Sequence, residues 1–158
     1  MPLSISYTFL AIVILLQELF LRKGKDAQSL RGGKFDQGST LLGILYWLVC
    51  LVVPWLFNIL YLWRDTVVQP LIWTGIILVG IGSIVRLWAA ASLERFYART
   101  LLVQEEHKII TKGPYKNIRH PGYLGSIFIG LGLGLASGNF IALLTVVVAA
   151  FFYYPYRI

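Results

Sequence analysis

TLLGILYWLVCLVVPWLFNILYLW, residues 40–63, is apolar throughout except for Pro54 and Asn58, and it closes on the aromatic residues Tyr61 and Trp63. A bilayer core takes about 20 mostly apolar residues per spanning helix, and Trp and Tyr collect at membrane interfaces. The run therefore predicts a transmembrane helix. Pro54 lacks the N–H that an interior helical residue donates, so the carbonyl one turn earlier needs another donor. Neighbouring helices must supply it, which places this helix inside a bundle.

Outward from this run the same pattern repeats. Residues 3–21 form an apolar stretch with Gln17 and Glu18 near its end, followed by a glycine-rich polar loop over 22–39. On the other side, Arg64-Asp65-Thr66 makes a short turn into a third apolar span over 67–92. Gly75, Gly80 and Gly82 there are expected to allow close helix approach. A long polar segment, 93–120, precedes a fourth span at 121–136, and Ser137-Gly138-Asn139 turns directly into a fifth at 140–156. So short a connection makes the last two spans an antiparallel hairpin. The expected fold is all-α: one polytopic membrane domain over 1–158 with about five transmembrane helices.

Composition agrees. The 158 residues are 58% hydrophobic and only 13% charged, far from the balance of a soluble domain. The formal charge of +7 would point to nucleic acid in a soluble protein, but in a membrane protein it is read first as topology. All of the 14 Lys and Arg residues except Arg64 and Arg86 fall on one side if the N-terminus is outside. The positive-inside rule then puts both polar loops and the C-terminus in the cytoplasm. No Lys or Arg precedes the first apolar run, so it reads as a retained helix rather than a signal peptide.

Ionisable groups in or beside a span are costly and are functional candidates by default. Here they are Glu18, Arg86, Arg119 and His120. Glu18 and Arg86 each lie about a turn from a cytoplasmic end, where they can snorkel or pair with one another; a fixed Arg86 guanidinium also suits a carboxylate ligand. Pro121 fits the first turn of a helix, which puts Arg119 and His120 at a helix N-terminus, where the dipole favours an anion. Cations placed there make sense if an anionic group binds between them. Tyr115 and Tyr123 add aromatic faces for a flat ring or a ligand cation, and Gly113-Pro114 bends the chain back over the site. Interfacial anchoring to lipid headgroups explains the composition of this segment but not its order.

Other chemistries have little support. Cys50 is the only cysteine, and His107 and His120 are the only histidines, so no metal centre is expected. The glycines at 130, 132 and 134 follow no strand, which excludes a dinucleotide fold; Gly130 and Gly134 share a helix face and read as packing residues.

Lys112-Gly113-Pro114-Tyr115, then Arg119-His120-Pro121, Tyr123 and Gly125, resembles the signature of the isoprenylcysteine carboxyl methyltransferase family. Membrane phospholipid methyltransferases share its His-Pro-x-Tyr-x-Gly part. The likeness reaches upstream through Arg86-Leu87-Trp88-Ala89 and Glu106-His107-Lys108, and covers about residues 75–158. It implies methyl transfer from S-adenosylmethionine on the cytoplasmic face to a lipophilic or prenylated acceptor arriving from the bilayer, with no nucleic acid involved. It assigns cofactor contacts to His107, Lys112, Gly113, Pro114, Tyr115, Arg119, His120, Pro121, Tyr123 and Gly125, the catalytic role to Arg119 and His120, and acceptor contacts to Arg86 and Trp88. The leading expectation is O-methylation of a prenylcysteine-like carboxylate, which is ionised at pH 7 and needs no general base. Phospholipid N-methylation is the alternative enzyme reading. Family members continue past the last span into a Glu-Glu pair and a cytoplasmic tail, whereas this sequence stops at Tyr156-Arg157-Ile158. A truncated, non-catalytic membrane protein is thus a third reading.

Overall fold

The computed structural model describes residues 3–21, 38–60, 69–93 and 112–157. Within them the chain is helical, with no strand: α1 (Leu3–Leu21), α2 (Ser39–Ile59), α3 (Gln69–Leu93), α4 (Pro121–Ala136) and α5 (Phe140–Arg157), plus a 3₁₀ turn at Gly113–Lys116. The boundaries follow the apolar runs closely. α2 stops at Ile59, and 61–68, where its expected aromatic end lies, are outside the described residues. By length and composition α2 and α3 can each cross a membrane; the apolar stretches of the other three are shorter.

Pro54 behaves as its chemistry requires. Its missing N–H would have served the carbonyl of Cys50, and the Tyr7 hydroxyl of α1 donates to that oxygen at 2.8 Å and to Leu51 O at 3.2 Å. Next along, the Asn58 side-chain amide donates to Pro54 O (2.9 Å) and to Ser137 O (3.1 Å), tying α2 to the α4–α5 turn.

That turn is closed by its own three residues. Ser137 donates from Oγ to Gly134 O at 2.6 Å, and Gly138 takes φ +69°, the left-handed conformation that ends helices. Asn139 Oδ1 then accepts from the N–H groups of Ile141 and Ala142, both at 3.0 Å, capping α5.

α3 and α4 make the most extensive contact in the bundle. Gly75 and Gly82 on α3 meet Gly132 and Gly125 on α4: a methyl group at Gly82 would stand 2.6 Å from Gly125 O, and one at Gly132 would stand 2.6 Å from Gly75 O. The backbones touch where no side chain intervenes. Gly80, expected to share this role, faces open space. Gly130 and Gly134 do not serve one interface: Gly130 abuts Tyr46 of α2 and Gly134 abuts Leu143 of α5. α4 has neighbours on several sides, so even residues one turn apart meet different helices.

The core gathers Tyr7, Ile14, Tyr46, Cys50, Val79, Ile129, Leu133, Val146 and Tyr154 from all five helices. Large apolar side chains also face outward along the bundle, including Leu16, Phe20, Trp55, Trp73, Ile84, Phe151 and Phe152. Such continuous apolar exposure suits a lipid surround, not water.

A cationic and aromatic candidate site at the start of α4

The late turns of α1, α3 and α5 meet the early turns of α2 and α4 at one end of the bundle. Lys112 is exposed and extended, and Gly113 follows at φ +59°. Here a side chain is excluded for two reasons, the left-handed backbone and the approach of α3: an added Cβ would collide with Ser92 Oγ and lie 3.3 Å from Trp88 Nε1. Pro114 is buried and its carbonyl accepts from Asn117 N–H (3.3 Å) and Ile118 N–H (3.0 Å), which closes the 3₁₀ turn, and the turn packs on α3. Tyr115 is half-buried in that turn.

Arg119 and His120 are exposed, with His120 in the N-cap position of α4 and Pro121 buried as the first helical residue. The His120 imidazole stacks on the half-buried Tyr123 ring, centroids 5.5 Å apart and planes at 18°. From Tyr123 an aromatic row runs inward through Tyr154 (6.0 Å) to Tyr46 (5.4 Å), which stacks on Tyr153. Gly125 lies one turn deeper, buried against Gly82 and Arg86.

Arg86 is 5% exposed and forms an ion pair with Glu18 of α1, itself 7% exposed. Its guanidinium lies over the Trp47 ring, 5.0 Å from the centroid. Trp88, on the same helix, is half-exposed and turned toward Gly113.

Of the residues singled out in the sequence, Lys112, Gly113, Pro114, Tyr115, Arg119, His120, Pro121 and Tyr123 thus lie along one continuous segment beside Trp88. Gly125 and Arg86 lie beneath it, at the α3–α4 contact. His107 lies outside the described residues. Sequence reasoning missed Tyr46, Trp47 and Tyr154. Their only signal was an aromatic residue near a span end, which interfacial anchoring explains equally well.

Among the described residues the arrangement is all-helical, with two apolar helices long enough to cross a membrane and a basic, aromatic segment set on the end of the α3–α4 pair. Residues 74–158 match the model of the isoprenylcysteine carboxyl methyltransferase (ICMT) family. The chain belongs to that family. Two rice proteins, from Oryza sativa subsp. indica and subsp. japonica, each named "Probable protein-S-isoprenylcysteine O-methyltransferase", are 32% identical to it over 62 residues, 38% of this chain and 32% of the relative. The match thus spans about a third of the length of those curated relatives. The family region takes in most of α3 with α4 and α5, while α1 and α2 precede it.

Proposed function

We propose that this protein is a multi-pass membrane methyltransferase that uses S-adenosylmethionine to O-methylate the carboxylate of a prenylcysteine-like or other lipophilic acceptor. The domain is the whole of 1–158, crossing the membrane about five times with its N-terminus outside and the site at the cytoplasmic face. The observation that carries this reading is the segment 112–123 of the family region: an exposed Arg119 beside a stacked His120–Tyr123 face at the N-terminus of α4.

These residues fit the cofactor. Exposed Lys112 and Arg119 suit its carboxylate, and the aromatic face suits a flat ring or a sulfonium. When bound, S-adenosylmethionine supplies an electrophilic methyl group. Arg119 and His120 are assigned to hold the reacting groups in place. Gly113 lets the segment lie close on α3, and Pro114 and Pro121 fix its entry and exit. The acceptor side is assigned to Arg86 and Trp88. An ionised carboxylate asks the chain only for orientation and exclusion of water.

Phospholipid N-methylation is less well supported, because an amine must lose a proton. Among the described residues the Glu18 carboxylate is committed to its ion pair with Arg86, whereas an ionised carboxylate acceptor requires no base at all.

Labelled S-adenosylmethionine should bind the detergent-solubilised protein, and Arg119→Ala and His120→Ala should each weaken binding about tenfold or more, the scale of one lost charge-assisted contact. Membrane insertion should be unchanged. Equal binding by both variants would remove the site assignment, and absence of binding by the wild type would favour a non-catalytic membrane protein.

A further inference from the structure

The Glu18–Arg86 pair asks for an explanation beyond packing. Removing two charges from water costs several kcal/mol per ion, and a buried pair is weak as a stabiliser compared with apolar side chains of the same size. α1 is also the most sparsely packed of the five helices. Its early turn is fixed by the Tyr7 hydroxyl bond to Cys50 O, and its late turn by Glu18 on Arg86. The two anchors are 11 residues apart, about 16 Å along the helix. Between and around them α1 presents Phe9, Ile12, Leu16, Leu19 and Phe20 outward.

Arg86 itself is held independently of α1. Its backbone N and Cβ would each be 3.0 Å from a Cβ at Gly125, so it sits beneath the first turns of α4, and Trp47 of α2 lies against its guanidinium. The Arg86 backbone is therefore fixed without Glu18, and its guanidinium, with Trp47 on one side, requires another negative partner to stay buried if Glu18 leaves. Exchange of one carboxylate for another conserves the charge and requires no new buried ion.

We propose that Glu18 is a built-in carboxylate that occupies Arg86 in the unliganded protein and is exchanged for the carboxylate of the acceptor, making Arg86 and Trp47 the acceptor headgroup site and α1 its lateral gate. This rests on the methyltransferase reading for the identity of the acceptor. Glu18 is one turn from the end of α1, with Arg22 and Lys23 next in sequence, so on release it can reach the interface. α1 then pivots about Tyr7, opening on the lipid side through which a prenyl chain enters.

The test uses the full chain in detergent with two probes, an S-farnesylcysteine derivative with a free carboxylate and its carboxamide. Glu18→Gln keeps the shape and removes the competing charge. If Glu18 holds the site nine parts in ten, carboxylate binding should tighten about tenfold in Glu18→Gln, because the site is no longer occupied from within. Arg86→Gln should abolish the preference for the carboxylate. Spin labels at Leu19→Cys and Ile84→Cys, both on outward positions, should separate on adding the carboxylate and not the carboxamide. A Glu18→Gln protein with unchanged carboxylate affinity, or one that weakens both ligands and melts earlier, would show the pair to be merely structural. No movement of the label pair would overturn the gate. Failure of the wild type to bind labelled S-adenosylmethionine bears on the methyltransferase reading alone, since the comparison of the two probes does not involve the cofactor.

Discussion

At the scale of single residues, the molecule turns on groups that the helix leaves unsatisfied and that other helices complete. Tyr7 and Pro54 are the clearest pair. Tyr7→Phe removes the donor to the carbonyl that Pro54 frees, and should lower stability by about 1 kcal/mol, the usual size of a hydrogen bond between helices in a membrane. In a Pro54→Ala background the backbone N–H is restored, so the same Tyr7→Phe change should cost much less. Thermal unfolding of the four proteins in one detergent measures the coupling; equal costs in both backgrounds would mean that Tyr7 serves some other purpose. Gly113 offers a second residue-scale test. Gly113→Ala meets both an adverse φ and Ser92, and Ser92→Ala relieves the second alone. Cofactor binding should fall in Gly113→Ala and recover in part in the double variant. The sequence announced that Pro54 needs a donor and that Gly113 sits in a bend, because both follow from the residues' own chemistry. It could not name Tyr7 or Ser92, which are brought there by helices distant in sequence.

At the scale of elements, α3 and α4 form the frame on which the candidate site rests. Their glycines approach backbone to backbone, so Gly82→Ala should separate the helices, displace the segment 112–120 and lower the melting temperature. Gly80→Ala provides the contrast on the same helix. Facing open space, it should be neutral or stabilise by up to about 1 kcal/mol through the higher helix propensity of alanine. If both variants lose stability equally, the close packing is not what holds α3 to α4. Helix positions were legible in the sequence because apolar runs and the Pro121 and Ser137-Gly138-Asn139 punctuation mark them. The partner of each glycine was not, since spacing along α4 says which residues lie near one another but not which neighbouring helix they meet. For this reason Gly130 and Gly134, one turn apart, serve different contacts.

At the scale of the whole molecule, one end of the bundle concentrates its polar chemistry. The exposed basic segment before α4, the aromatic row behind it and the buried Arg86–Glu18 pair lie at successive depths. On the proposed reading the exposed segment takes the cofactor and the buried pair beneath it marks the acceptor side. The basic segment could be read from the sequence as a motif. The buried pair could be read only as one of two uses for each charge, because pairing α1 with α3 depends on the fold. The measurement that tests the central claim most directly is transfer of a labelled methyl group from S-adenosylmethionine by the membrane-reconstituted protein, offered a farnesylcysteine carboxylate or phosphatidylethanolamine. Label recovered in a base-labile ester of the carboxylate, lost in Arg119→Ala, is the result expected. Label recovered only in phosphatidylethanolamine, or in neither acceptor despite cofactor binding, would contradict it.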